Sequence, residues 1–165
     1  MRVLMQHDGK RRYWSTIHRD DNVVLFLPGY DRKWRVPHDL AHIATEKQLR
    51  LTDGVFGSIA AGAMFENMRV LSGRLRHDPR QRSRQVLGAN GPGIGVAELL
   101  AAAVHAAVEQ RAPVVAAARL AWGSQREGPF PYPDTELRHA AESLEDLGRR
   151  WSRLTVGEQL TVDWP

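Results

Sequence analysis

The chain has 165 residues, 42% of them hydrophobic and 25% charged, the composition of one ordinary globular domain with apolar material for a single core. It has no Cys, which excludes a disulfide framework, a thiolate zinc site, a cysteine nucleophile and a cysteine-held iron–sulfur cluster, so any metal must sit on His, Asp and Glu. The net charge of +4 is too small to mark a nucleic-acid binder, and no run approaches about 18 consecutive apolar residues; the expectation is a soluble, cytoplasmic protein with neither a membrane span nor a signal peptide.

Residues 1–36 predict a small antiparallel β-meander. Short runs of aliphatic, aromatic and β-branched residues are separated by His7-Asp8-Gly9-Lys10 and Arg19-Asp20-Asp21-Asn22, both of which carry turn chemistry. Pro28-Gly29 ends the third run, and Lys33-Trp34-Arg35-Val36 suggests a short fourth edge strand halted by Pro37. From Pro37 the spacing of apolar residues turns helical. One helix is expected over 37–50 and a second over 55–67, where Gly57, Ser58, Ala60, Ala61, Gly62 and Ala63 leave little side-chain bulk and permit close packing.

Residues 72–95 lack apolar periodicity, mix Arg with Gly88, Gly91, Pro92, Gly93 and Gly95, and read as a long mobile loop. An Ala- and Leu-rich buried helix is then expected over 96–111, a short helix over 113–120, an extended linker over 128–133, and a last helix in which Leu137, Ala141, Leu144, Leu147, Trp151 and Leu154 recur at helical spacing. The tail alternates polar and apolar residues, which suggests a closing strand over 157–164 added to the N-terminal sheet. The fold class is α+β, in a single domain spanning 1–165 with a helical part over 37–154.

The first helix holds the residues best suited to chemistry. At about 100° per residue, His38, His42 and Glu46 fall on one stripe, opposite Leu40, Ile43 and Ala44. Two His at i and i+4 present two imidazole nitrogens to one metal ion, and the positive end of the helix dipole favours the neutral imidazole of His38 that a metal needs. Glu46 is either a third ligand or a carboxylate that orients His42. Asp39 occupies the place of the general base of His-Glu-x-x-His proteases; it is one methylene shorter, which argues against a protease and leaves Asp39 as the catalytic or supporting carboxylate. The same residues also fit a structural polar face held by i,i+4 contacts.

Pro37-His38-Asp39-Leu40-Ala41-His42, followed by Glu46 and Gly54-Val55-Phe56-Gly57, resembles a group of small bacterial proteins with a strand-rich start, a resemblance that implies no assigned activity. The His-Asp-x-x-His core is also similar to the motif of a zinc-associated ubiquinone-biosynthesis family. That family carries a further Glu twelve residues after the second His, where this chain has Gly54, so the resemblance implies divalent metal binding through His38 and His42 alone.

His105 and Glu109, also four apart, can supply a second helix to such a site, and His7 and His18 are alternative ligands from the sheet. Two functions follow: a divalent-metal protein, with zinc as the example cofactor and hydrolase- or lyase-like chemistry, or a non-enzymatic module that binds a protein partner. The basic charge is central. Residues 67–124 carry eight bases and three acids, against ten and eight before them and five and eight after. The six Arg between Arg69 and Arg84 have no interleaved aromatics for base stacking, so no specific nucleic-acid partner is expected, and no membrane.

Overall fold

Turn chemistry starts the fold. In the computed structural model, which describes residues 1–10, 12–29, 34–74 and 77–165, β1 (Arg2–His7), β2 (Tyr13–His18) and β3 (Val24–Gly29) form the expected antiparallel meander. Gly9 takes a φ of 71° in the first turn, where Asp8 Oδ1 accepts the amides of Lys10 and Arg12 at 2.7 and 3.1 Å; Asn22, at φ 62°, closes the second. Val3 pairs with Ile17 and Ile17 with Leu25, so one row of buried side chains crosses the sheet.

The tail returns as β5 (Leu160–Asp163), antiparallel to β1, which the alternation of its residues predicts. The opposite edge differs from the expectation. Lys33 lies outside the described residues, and Trp34, Arg35 and Val36 form no strand; the edge strand is β4 (Arg69–Ser72), giving the order β4-β3-β2-β1-β5. The Val36 amide, which a strand would have given to the ladder, donates instead to Glu109 Oε1 at 2.9 Å. With five helices beside this antiparallel sheet, the fold is α+β.

The helices are α1 (His38–Leu49), α2 (Val55–Ala60), α3 (Pro79–Gln110), α4 (Val114–Gln125) and α5 (Asp134–Ser152). α1 lies between α5 and α3 and is buried nearly all round, so its His/Glu stripe faces α3 rather than solvent. Its apolar side joins Val3, Met5, Ile17 and Leu25 of the sheet and Leu137 and Leu144 of α5 in one core cluster. Each fully buried side chain of the size of Leu40 or Ile43 contributes about 1.5–3 kcal/mol. α2 is shorter than its small-residue composition suggests, ending at Ala60 before Gly62 takes a φ of 109°.

The largest correction concerns the loop expected over 72–95: Ser72 ends β4, residues 75 and 76 lie outside the described residues, and from Pro79 onward the segment is not a loop but the start of α3, continuous through Pro92 to Gln110. Asp78 caps the helix by accepting the Gln81 amide at 3.3 Å, with Pro79 in the first turn. Tertiary contacts outweigh poor local propensity. Ser83 Oγ accepts the Met64 amide and donates to the Met64 carbonyl, Asn90 donates to Ser58 Oγ at 3.0 Å, and Gly93 lets the Asp53 carboxylate lie against the helix where a Cβ would push it aside.

By length and composition α3 is apolar enough to cross a membrane, a property hidden when its residues are read as loop plus helix. Half of that apolar window is buried within the protein, where α3 packs on α1, α2, α4 and α5.

Candidate metal centre

The i,i+4 spacing on α1 brings the His38 and His42 rings edge to face, with centroids 4.8 Å apart. The third member is Glu98 of α3, not Glu46. One donor atom from each of His38, His42 and Glu98 lies within 4.8 Å of the others. His42 Nε2 stands 3.3 Å from Glu98 Oε2, and His38 Nε2 stands 4.0 Å from the same oxygen. Donor atoms around a tetrahedral zinc ion with bonds near 2.0–2.1 Å are about 3.4 Å apart, a separation that His42 Nε2 and Glu98 Oε2 already have, so the partly exposed His38 is the member that would move inward to close the set. The Glu98 side chain is 56% exposed, whereas that of His42 is only 5% exposed.

Glu46 serves the centre from behind. Its Oε1 accepts from His42 Nδ1 at 3.1 Å and from the Val55 amide at 3.0 Å, and its Oε2 accepts from the amides of Phe56 and Gly57 at 3.0 and 3.3 Å. Both oxygens are thereby committed to the start of α2 and to His42, and Glu46 is 1% exposed. A carboxylate so held fixes the proton of His42 on Nδ1 and leaves Nε2 directed at Glu98, the arrangement in which a carboxylate orients a histidine ligand. Gly54 belongs to the same construction: a Cβ at that position would collide with the Glu46 carboxylate and stand 3.0 Å from the Ala97 Cβ. No side chain fits there, least of all the further Glu of the zinc-associated family.

Burial works against a charge on His42, but the hydrogen bonds to Glu46 and Glu98 outweigh it and hold its pKa up at about 9. The same contact lowers the Glu98 carboxyl, chiefly through the His42 hydrogen bond, with the charges of His42 and His38 adding to it and partial burial opposing. In the metal-free protein His42 is therefore an imidazolium between two carboxylates, and a cation placed at Nε2 would take over the role of its proton.

His105 of α3 joins this cluster through His38: the two Nδ1 atoms are 3.0 Å apart and the rings nearly parallel at 21°. Its Nε2 lies 4.0 Å from Glu109 Oε1, and the Trp34 ring packs on it at a centroid distance of 5.2 Å. The sequence-based expectation of a second helix is thus met in part: His105 reaches His38, but the carboxylate that reaches the two α1 histidines is Glu98. Glu98, His105 and Glu109 fall within about 40° of one another around α3, and that stripe was the available signal for Glu98.

Asp39, in the first turn of α1, is not part of the His38, His42 and Glu98 group. His7 is engaged with the Leu154 carbonyl at 3.2 Å, and His18 lies at the end of β2, outside the group. Compared with family models, curated proteins and solved structures, the chain matches none.

Proposed function

We propose that the protein binds a divalent metal ion through His38 Nε2, His42 Nε2 and Glu98, with Glu46 as the carboxylate behind His42, and that zinc suits the set best. The observation that carries this reading is the convergence of three donor atoms within 4.8 Å, one of them on a buried imidazole whose other nitrogen is already bound to a carboxylate. Three protein ligands leave a coordination position for water, and the exposed Glu98 side gives solvent access to it. A water so bound is acidified and becomes a nucleophile near neutral pH, which fits hydrolase- or lyase-like chemistry. The Cys-free composition suits a cytoplasmic setting, since no disulfide calls for an oxidising compartment.

The test is metal content and stability together. Protein purified without an affinity tag is expected to hold close to one zinc equivalent after exposure to zinc. Its thermal midpoint should rise with zinc concentration, by about 2.7 kcal/mol of added stability at a hundred times the dissociation constant. His38→Ala and Glu98→Gln should abolish or sharply weaken that rise. Absence of bound zinc, iron, nickel or manganese, with an unchanged midpoint on their addition, would sink the reading and leave the polar face of α1 as a structural network.

A further inference from the structure

Each histidine of the centre has a buried partner at its second ring nitrogen, and the two partners differ. His42 Nδ1 meets the Glu46 carboxylate, whereas His38 Nδ1 meets another imidazole, His105 Nδ1, at 3.0 Å. We infer that His105 is a positioning residue of this centre, accepting the His38 Nδ1 proton and thereby fixing Nε2 as the nitrogen that binds metal; the inference rests on the reading of His38, His42 and Glu98 as ligands.

Only one proton fits between two nitrogens at that separation. If it belongs to His105, then His38 Nδ1 is the acceptor, the His38 proton sits on Nε2, and that nitrogen has no lone pair for a cation. If it belongs to His38, the Nε2 lone pair faces Glu98, and His105 carries its own proton on Nε2. The surroundings favour the second arrangement. His105 Nε2 lies 4.0 Å from Glu109 Oε1, a carboxylate oxygen that attracts the proton and that is itself held by the Val36 amide at 2.9 Å. The ring of His105 is 1% exposed and stands between His38 and Trp34, so its orientation is set by packing and water does not compete for Nδ1. The centre therefore pairs one histidine backed by a carboxylate with one backed by a second imidazole.

The experiment compares two substitutions with the wild type, using zinc alone titrated against a competing chromophoric chelator. His105→Leu keeps bulk but removes the acceptor, and it is expected to weaken zinc binding 10- to 100-fold. His105→Asn places a carbonyl oxygen near the former Nδ1 and is expected to recover most of that loss, a rescue that a purely packing role would not give. Long-range 1H–15N spectra of the zinc-loaded wild type should show His38 protonated on Nδ1 and coordinated through Nε2. A wild type that binds no zinc overturns both this inference and the reading beneath it. Zinc binding that His42→Ala abolishes but His105→Leu leaves unchanged overturns the role of His105 alone. If His105→Leu fails to fold, the spectra still decide, because coordination of His38 through Nδ1 refutes the inference.

Discussion

α3 is one continuous helix with two unlike halves. From Pro79 to Pro92 only Ser83 is buried, the surface carries Arg80, Arg82 and Arg84, and the attachments to the rest of the protein include the Ser83–Met64 and Asn90–Ser58 hydrogen bonds. From Gly93 to Gln110 the helix buries Ala97, Leu99, Leu100, Ala101, Ala103, Val104, His105 and Ala107, and it delivers Glu98 and His105 to α1. The outer half is helical largely because the inner half is fixed: helix propagation extends a nucleus already made, and polar anchors suffice to hold a segment that its own sequence disfavours. The proposed ligand Glu98 and its neighbour His105 both lie on the inner half, where most of the helix's buried contacts are made.

The largest expected effect is at the junction of the inner half with α1. Glu46→Ala would leave two buried amides, the partly buried Val55 amide and His42 Nδ1 without their acceptor, and the loss of stability in metal-free protein should be about 3–5 kcal/mol, measured by urea unfolding. Leu100→Ala, at a fully buried position of the inner half, should cost about 2–5 kcal/mol. Losses below 1 kcal/mol for both would show that the inner half is not the rigid part of the helix.

The pH dependence of the metal-free protein sharpens the same contrast. The His42 pKa is raised in the folded state to about 9 from 6.5, so its contribution is fully present below about 6.5 and is lost as pH rises through about 9. Glu98, lowered in the folded state from 4.5, contributes above about 4.5 and loses that contribution as pH falls through its folded value. Stability should therefore be greatest between about 4.5 and 6.5, and chemical denaturation across pH 5–10 in the presence of a chelator measures it. His42→Gln should flatten the alkaline limb. An alkaline limb that survives this substitution would assign the loss to other groups.

What the sequence made legible was chiefly local. The Asp8-Gly9 and Asn22 turns, the i,i+4 pair His38 and His42, and the helical spacing of Leu137, Leu144 and Leu147 each depend on neighbours a few residues away, and each appears in the structure. What was hidden depends on partners distant in the chain. The outer half of α3 reads as a loop because Gly88, Gly91 and Pro92 weaken a helix locally, while Ser58 and Met64, which anchor it, lie 19 or more residues away from their partners. Spacing leaves Glu46 open as a ligand or as a carboxylate behind His42, and nothing near it announces that the amides of Val55, Phe56 and Gly57 will claim its oxygens. Glu98 was hidden by its setting: an acid in an Ala- and Leu-rich helix draws less notice than the His pair, although its alignment with His105 and Glu109 was there to be read.

The smallest expected effect lies in the outer half. Arg80, Arg82 and Arg84 are exposed on α3 rather than on a solvated loop, and changing all three to Gln should alter stability by no more than about 0.5 kcal/mol per site. Their charge should show only in binding to polyanions. A generic DNA duplex is expected to bind weakly at low salt through counterion release, to lose that binding steeply towards physiological salt, and to be bound still more weakly, at every sequence alike, by the triple variant. The helix itself supplies no stacking platform: the outer half of α3 carries no aromatic residue, and on the sheet the Phe26 ring is covered by the Arg69 guanidinium at 4.4 Å. Fluorescence anisotropy over a salt series measures the slope. Tight binding of one sequence at physiological salt, with strong discrimination against single base changes, would mean instead that the outer half reads base edges as a recognition helix does, and the division of α3 into a packed inner half and a solvated outer half would fall.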